Sequence, residues 1–185
     1  MPRSIAVLDA DVLVPVLLCD LLLTLFDSDL YLPVVSPTIL AEVERNLVAD
    51  FPHIESAALR RRVAHMSEAL TFHSHSVGEI VPDALAGINR KDHHVAALAI
   101  AQGADVVVTN DRRLRREINS VGLTLTAVSA DEFALNLLAT QREKVLAVID
   151  TLVAKRTRHP VTRQELIDRL TRSVPRFTAG LRHSE

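Results

Sequence analysis

Residues 91–114 constrain the fold more than any other stretch, because they predict a helix, a tight turn and a buried strand in direct succession. Val95 and Leu98 recur at helical spacing, and Gly103 stands where a helix commonly ends. The apolar run at 106–108 is typical of a strand that is covered on both faces. A helix that leads into such a strand is typical of proteins with a parallel sheet.

The alternation of helices and strands continues through most of the chain. Ser36 and Pro37 predict a helix start, because serine is a preferred N-cap residue and proline suits the first helical position. Thr162 and Glu165 form a capping-box pattern that predicts the start of a final helix. Strands are predicted at residues 5–8, 31–35, 106–108 and 123–128, with a further short strand within 72–82. Helices are predicted at residues 13–26, from 37 onward, and at 54–70 and 112–120. A long helix is predicted from a cap at Ser129 or Asp131 to about Lys155.

Strands that alternate with helices predict a three-layer α/β/α domain with a mainly parallel sheet. We assign residues 1–135 to this domain and residues 136–185 to a basic, helical C-terminal extension. Residues 1–140 contain 11 basic and 18 acidic side chains, whereas residues 141–185 contain 10 and 5. An acidic body with a basic tail raises the hypothesis of nucleic-acid binding, although a solvated basic helix also explains this charge.

Cysteine usage and hydropathy exclude several classes of protein. The single cysteine, Cys19, excludes an internal disulfide and a cysteine-based zinc site. The apolar stretch 12–26 is interrupted by Pro15 and Asp20 and is too short to span a bilayer. No secretory signal is visible, so we expect a cytoplasmic protein without a membrane partner.

Four acidic residues are expected at one edge of the predicted sheet. Asp9 and Asp111 directly follow strands, and ligands of parallel α/β sheets bind beyond the carboxyl ends of the strands. Glu42 and Asp92 lie in early turns of helices that pack beside these strands. Carboxylates brought together repel one another unless a cation neutralises them, and hard oxygen ligands suit Mg²⁺ or Mn²⁺. The set therefore indicates metal-dependent hydrolysis of phosphodiester bonds.

Each acid also has a simpler explanation. Either Asp9 or Asp11 is able to cap the helix that follows, and Asp111 is able to cap the helix at residue 112. The negative charge of Asp92 near a helix N-terminus interacts favourably with the helix dipole. Glu42, taken alone, is best explained as a solvated helix residue. Because four separate coincidences would be needed to bring acids to one sheet edge, we favour the metal site.

The four acids stand in short motifs that, in this order, resemble the PIN-domain family, and most closely its bacterial VapC-type toxins. The motifs are LDADVL around Asp9, ILAEV around Glu42, KDHHVAALA around Asp92 and VTND ending at Asp111. The resemblance covers roughly residues 4–135, including the closing motif SADEF. It implies an α/β/α nuclease that cuts single-stranded or structured RNA with Mg²⁺ or Mn²⁺, with these four acids as the catalytic, metal-binding residues.

The resemblance also implies supporting residues and partners. Thr109, followed by Asn110, matches the hydroxyl residue that orients the last acid, and Asn46 matches a polar position of the bacterial group. Asp11 departs from the family, which more often has Asn, Ser or Thr there; it either joins the metal site or caps the first helix. We expect an endoribonuclease that acts as the toxin of a type II toxin–antitoxin pair, with RNA as substrate, an antitoxin as partner, and a homodimer as one candidate assembly.

Basic residues provide candidate contacts to RNA phosphates, although the solvated face of a helix explains them as well. His93 and His94 point in different directions on a helix, so we expect one to pack and the other to lie at the edge of the site. Aromatic residues make up 3% of the chain, so a base-stacking surface is not expected. The basic candidates are Arg112, Arg113, Arg115, Arg116, Lys155, Arg156 and Arg158.

Two other functions compete with the ribonuclease hypothesis. The motif around Asp9 also resembles the nucleophile motif of haloacid-dehalogenase-type phosphatases, with Ser36 and Lys91 as partner residues. That hypothesis lacks the Gly-Asp or Asp-Asp pair expected after a later strand. A catalytically silent PIN-like module that binds RNA or protein is the second alternative, and the four intact acids argue against it.

Overall fold

A computed structural model describes residues 3–70, 73–76 and 85–182 of the chain. Within these ranges the strands are β1 (Ile5–Leu8), β2 (Leu32–Val34), β3 (Val106–Val108) and β4 (Thr126–Val128). The helices are α1 (Ala10–Leu13), α2 (Val16–Asp27), α3 (Pro37–Asp50), α4 (Ser56–Ala69), α5 (His93–Ala101), α6 (Arg112–Ser120), α7 (Ala130–Thr140), α8 (Arg142–Ala154), α9 (Arg163–Leu170) and α10 (Pro175–Arg182). A 3₁₀ turn, Arg90–Asp92, precedes α5.

The described strands form a parallel sheet in the order β2–β1–β3–β4, with helices on both faces. The predicted three-layer α/β/α architecture is therefore confirmed. Its central strands, β1 and β3, pair with Leu8 opposite Val108, and both of these residues are fully buried. The chain passes from β1 to one neighbour and returns to β3 on the other side, so the strand order reverses between β1 and β3. This reversal creates a crevice beyond the carboxyl ends of the two strands.

The prediction of one continuous helix that ends at about Lys155 is wrong. The chain instead forms two helices, α7, which Ser129 caps, and α8, and they meet at Gln141. Gln141 leaves the helical conformation with φ −139°, and its side-chain amide donates a hydrogen bond to the Leu30 carbonyl. The bend folds α8 back so that it packs against α2. Helical periodicity alone did not reveal this bend, because the apolar pattern continues through it.

The helix predicted at 13–26 is present as α2, but it begins later than predicted, at Val16, because α1 ends at Leu13 and the chain breaks at Val14 and Pro15. Proline has no backbone N–H, so helical hydrogen bonding cannot continue through this position. The guanidinium of Arg62 on α4 donates hydrogen bonds to the Leu13 and Val14 carbonyls, at 3.2 and 3.1 Å. A distant side chain thus satisfies the carbonyl groups that the break exposes.

Local signals located other elements correctly. Ser36 caps α3 with Pro37 in its first turn, and the capping box predicted at Thr162 and Glu165 starts α9. Part of the segment 72–82 lies outside the described residues, but Ser74 forms an isolated parallel bridge with Val35. Among the helices within the described ranges, none combines the length and hydrophobicity that a membrane span requires.

The C-terminal helices pack on the body of the protein. Helix α8 buries Val148 and Leu152 in its contact with α2, and α10 packs against α7. At the start of α10, the backbone N–H groups of Arg176 and Phe177 donate hydrogen bonds to the carboxylate of Asp131 on α7, at 3.2 and 2.9 Å. An acidic side chain from α7 therefore holds the N-terminus of α10, where the helix dipole favours negative charge.

Candidate active site

Two polar segments meet in the crevice where the strand order reverses. Asp9 directly follows β1 and Thr109 directly follows β3, so the pairing of these strands makes the two residues neighbours. The backbone continues the pairing beyond the strands, since Asp9 N–H donates to the Val108 carbonyl at 3.1 Å. Asp9 is 8% exposed and Thr109 is fully buried. Strand register thus places a carboxylate beside a hydroxyl at this edge of the sheet.

The Thr109 hydroxyl links the two segments. It donates to Asp9 Oδ2 at 2.7 Å and accepts a hydrogen bond from the Asp111 backbone N–H at 3.1 Å. Asp11 Oδ2 lies 3.2 Å from the same hydroxyl, but a hydroxyl has one hydrogen, and the shorter contact to Asp9 is the better donor geometry. This threonine therefore fixes the orientation of Asp9 and the backbone at Asp111 at the same time.

Asp9, and not Asp11, caps the first helix. Its Oδ1 accepts a hydrogen bond from the Ala10 N–H at 2.7 Å, whereas Asp11 lies inside α1. Both oxygens of Asp11 contact the Asn110 backbone N–H, at 3.1 and 2.9 Å. The Asn110 side chain in turn accepts a hydrogen bond from the Ala130 N–H at the start of α7. Asp11 and Asn110 therefore hold the loop after β3 in place, which accounts for them without a metal.

Asp92 and Asp111 lie on the other side of the crevice. Asp111 caps α6 through Oδ1, which accepts hydrogen bonds from the Arg113 and Leu114 N–H groups at 2.7 and 3.1 Å. Asp92 stands at the start of α5 and makes no such capping bond there. Its Oδ2 is buried without a hydrogen-bond partner among the described residues. The Lys91 ammonium lies 4.0 Å from the other oxygen, Oδ1.

Glu42 reaches the crevice from α3 and contacts His94 on α5. Glu42 Oε2 lies 3.3 Å from His94 Nε2, a distance typical of an ion pair. The same nitrogen is buried without a hydrogen-bond partner in the described part of the chain. Glu42 and His94 therefore approach each other closely but without the geometry of a hydrogen bond. Asn46, one turn beyond Glu42, is half-buried on α3.

The electrostatic environment makes several of these carboxylates hard to ionise. Burial raises the pKa of Asp9, and the charge of Glu42 adds to this, while hydrogen bonds from Thr109 and Ala10 oppose it. Burial, followed by repulsion from Asp9, raises the pKa of Asp11 to about 6.

The pKa values of Asp92 and Asp111, the two acids on the other side of the crevice, shift in opposite directions. Burial raises the pKa of Asp92, and Asp111 and Glu117 add repulsion while Lys91 opposes it. Burial also acts to raise the pKa of Asp111, but the hydrogen bonds from Leu114 and Arg113 outweigh it, so the pKa is lowered. Carboxylates that lack a countercharge inside the protein are the groups that a bound cation would stabilise.

The donor chemistry fits a hard divalent cation that is completed by other ligands. Among the described residues, no three or more His, Cys, Asp or Glu side chains are grouped so that they could hold a metal ion by themselves. Mg²⁺ is commonly held by one or two carboxylates, with waters and substrate phosphates filling the remaining positions. The unpartnered oxygen of Asp92 and the raised pKa of Asp9 therefore fit such an ion, with Glu42 and Asp111 close by.

The arginines of α6 form a basic rim beside Asp111. A cleft of about 1050 Å³ between α6 and β4 is lined by Arg112, Arg115 and Arg116. Arg115 is fixed by donating a hydrogen bond to the Thr109 carbonyl at 2.7 Å, whereas the exposed side chain of Arg112 extends into the cleft. Arg113 instead pairs with Glu117 at 2.6 Å.

The basic residues of the tail lie elsewhere. Lys155 pairs with Asp27 at 3.5 Å and Arg156 with Asp20 at 3.3 Å, both on α2. Asp27 ends α2, just before the chain enters β2, so this pair lies toward the amino ends of the strands. Arg158 is exposed in the connection after α8. The ion pairs of Lys155 and Arg156 account for these two residues without RNA.

No sequence pattern indicated Glu117 at the site, and the site-edge histidine was identified only as one of two, His93 or His94. Glu117 accepts hydrogen bonds from Arg113 and from the Asn89 backbone N–H, and its charge reaches Asp92. His94 faces the acids, whereas His93 contacts the Ile88 carbonyl at 2.9 Å, as expected for one packing and one site-edge histidine. Helical spacing supplies a signal for His94, because it lies four residues before the buried Leu98.

Thr109→Val is expected to destabilise the protein by about 1–3 kcal/mol, the cost of leaving buried polar groups unsatisfied. The change keeps the shape of the side chain but removes the hydroxyl that serves Asp9 and the Asp111 N–H. Urea unfolding monitored by circular dichroism measures the loss. Thr109→Ser keeps the hydroxyl and is the matched control. If the valine and serine variants are equally stable, the hydroxyl does not hold the two segments together.

Fold and site together define a class: an α/β/α protein with carboxylates gathered at the strand-order reversal of a parallel sheet. The model of a family described as "PIN domain" matches residues 5–113, which is more than half of the chain, and the chain belongs to this PIN-domain family. A second model, described as "VapC50 C-terminal domain", matches residues 130–183. The predicted family is therefore confirmed.

One curated relative is a Mycobacterium tuberculosis protein (strain ATCC 25618 / H37Rv) with the name "Putative ribonuclease VapC50". It is 32% identical to this chain over 102 residues, which make up 54% of this chain and 60% of the relative. The aligned region thus spans about three fifths of that protein. No solved structure matches the chain significantly. The PIN-domain match favours the nuclease hypothesis over the phosphatase alternative.

Proposed function

We propose that this protein is an endoribonuclease that hydrolyses RNA phosphodiester bonds with a divalent metal ion, Mg²⁺ or Mn²⁺. The observation that carries the proposal is Oδ2 of Asp92, at the start of α5, which is buried without a hydrogen-bond partner among the described residues. It faces a crevice that also receives Asp9, Glu42 and Asp111. Family membership and the name of the mycobacterial relative support the same activity.

In this proposal the ion lies among Asp9, Glu42, Asp92 and Asp111. One or two of these carboxylates bind it directly and the others act through bound waters, since no three of the described side chains are grouped to hold it alone. The ion supplies positive charge against the negative charge that develops on the phosphate oxygens during hydrolysis. Hydrogen bonds from the Thr109 hydroxyl and the Ala10 N–H hold the Asp9 carboxyl group in one orientation at this edge of the sheet. Asp11 remains a candidate ligand, but its hydrogen bonds to Asn110 favour a structural role.

The rim of α6 gives the substrate a place to bind. Arg112 and Arg116 line the cleft beside the acids, and guanidinium groups bind phosphates through several donors at once. Contacts of this kind position a nucleic-acid chain without reading its sequence. We propose that RNA runs from this rim across the acidic crevice. Asn46 lies near Glu42 as a candidate polar contact on the opposite wall.

We further propose that the protein is the toxin of a type II toxin–antitoxin pair. The match of residues 130–183 to the "VapC50 C-terminal domain" model and the name of the mycobacterial relative support this proposal. An antitoxin would inhibit it by inserting a segment into the acidic crevice. The chemistry of the crevice favours an arginine in that segment, since a guanidinium pairs with carboxylates in a bidentate manner. The cytoplasmic location and a homodimer stay predictions.

Purified protein is expected to cleave single-stranded RNA when Mg²⁺ or Mn²⁺ is present and to lose this activity when EDTA is added. The physical reason is that the repelling carboxylates require a cation before they are able to stabilise phosphate charge. Activity should return when Mn²⁺ is added in excess of EDTA. Gel analysis of an end-labelled RNA, beside a DNA of the same sequence, measures the cleavage.

Two results would contradict the proposal. Cleavage that continues unchanged in EDTA would show that no divalent ion is needed. Binding of RNA without cleavage under any metal condition would support the silent RNA-binding module instead. A phosphoenzyme formed at Asp9 would revive the phosphatase alternative, and it is detected with a labelled phosphate ester.

A further inference from the structure

The ring of His94 is held in one orientation by its own helix. Its Nδ1 lies 2.9 Å from the Lys91 carbonyl oxygen. A carbonyl oxygen only accepts hydrogen bonds, so Nδ1 must carry a hydrogen and donate it. In the neutral ring, Nε2 is then the nitrogen with a free lone pair. The orientation of the ring therefore decides which nitrogen faces the crevice.

His94 Nε2 faces acids rather than a hydrogen-bond donor. It is buried, it lies 3.3 Å from Glu42 Oε2, and it has no hydrogen-bond partner in the described part of the chain. A lone pair placed against a carboxylate oxygen is unfavourable unless positive charge lies between them. Either a proton on Nε2 or a metal ion beside it supplies this charge.

The position of His94 among the acids favours the ion. His94 lies in the first turn of α5, two residues after Asp92, and its Nε2 approaches Glu42 on α3, so the imidazole stands between acids of two different helices. The second buried atom without a partner at the site, Asp92 Oδ2, belongs to the same group of side chains. Two buried atoms without hydrogen-bond partners among the described residues, His94 Nε2 and Asp92 Oδ2, therefore lie near Glu42, where the cation is proposed to bind.

We propose that His94 contributes Nε2 as a ligand of the divalent ion, a step that rests on the proposed metal-dependent function. The hydrogen bond from Nδ1 to the Lys91 carbonyl is the arrangement that commonly fixes the tautomer of a metal-binding histidine. An imidazole ligand shifts the preference of a carboxylate site from Mg²⁺ toward Mn²⁺ and later transition metals. With His94 as a ligand, we expect the site to bind Mn²⁺ more tightly than Mg²⁺.

The proposal is tested by binding Mn²⁺ to the full-length protein without RNA and recording pulsed electron paramagnetic resonance spectra. Wild type is expected to show a nitrogen coupling that changes when histidine is labelled with ¹⁵N. His94→Gln is expected to lose this coupling and to bind Mn²⁺ on the order of 10- to 100-fold more weakly, with a smaller change for Mg²⁺. His93→Gln, which changes the adjacent histidine, is expected to keep the coupling.

The outcomes separate this inference from the proposed function. Mn²⁺ binding by wild type without a histidine coupling would overturn the role of His94 and leave the carboxylate site standing. The absence of Mn²⁺ binding by wild type would overturn both. Loss of the coupling in His93→Gln but not in His94→Gln would identify His93 as the ligand and would contradict the proposal. If His94→Gln does not fold, wild-type labelling still shows whether any of the eight histidines binds the ion, and a coupling that persists in His93→Gln excludes the adjacent histidine. Absence of the wild-type coupling overturns the inference in either case.

Discussion

Asp92→Asn is expected to reduce RNA cleavage by roughly 100- to 1000-fold, the scale of losing one group that stabilises transition-state charge. The same variant should be as stable as wild type or slightly more stable. Asp92 makes no capping hydrogen bond, and burial together with repulsion from Asp111 already raises its pKa. Replacing the carboxylate by an amide therefore removes an unfavourable charge from the apoprotein. Cleavage assays with Mn²⁺ and thermal unfolding of the same sample measure the two effects.

Two matched variants make this test specific. Asp50→Asn changes an exposed acid at the end of α3 and should cleave RNA as wild type does. Asp9→Asn should lose cleavage as Asp92→Asn does, while the amide oxygen still caps α1. Equal cleavage by wild type and both site variants would indicate a contaminating nuclease and refute the site. Loss of activity together with a large loss of stability in Asp92→Asn would instead indicate a structural role.

Phe177→Ala is expected to lower the free energy of unfolding by about 3–5 kcal/mol, the usual cost of removing a buried aromatic side chain. Phe177 is fully buried on α10, and that helix packs against α7. The loss is a large part of the 5–15 kcal/mol by which domains are typically stable. Urea unfolding followed by circular dichroism gives the midpoint and the slope.

The control for this prediction is Phe51→Ala, which removes the same side chain from a partly exposed position at the end of α3 and should cost less. A single shifted transition in Phe177→Ala would show that α10 unfolds together with the body of the protein. A wild-type midpoint in this variant would mean that α10 contributes nothing to the stability of the domain. A separate early transition would mean that the C-terminal helices unfold independently.

The packing of the C-terminal helices bears on the predicted division at residue 135. The division follows charge and the extent of the family resemblance, and it stays a prediction. Within the described ranges, α8 covers α2 and Asp131 binds the start of α10. Sequence patterns did not indicate these contacts, because an apolar stripe on a helix does not specify the surface that covers it.

Local features of the sequence predicted much of the fold. The caps at Ser36 and Thr162 and the apolar run at 106–108 each act over a few residues, and the structure has the elements they predict. The sequence did not predict the break between α7 and α8, because that break involves a group that is distant in the sequence. The bend at Gln141 is accompanied by a hydrogen bond to Leu30, which lies 111 positions earlier in the chain.

The sequence by itself determined which residues would stand at the carboxyl ends of β1 and β3, and therefore that Asp9 and Asp111 would lie at one edge of the sheet. It did so because strand ends, helix starts and their acids are set by short-range periodicity and capping. Only the tertiary structure decided that one hydroxyl, Thr109, joins residues 100 positions apart, and that His94 turns its free nitrogen toward Glu42. These relations depend on strand register and helix rotation, which the packing of the whole core fixes and no local pattern records.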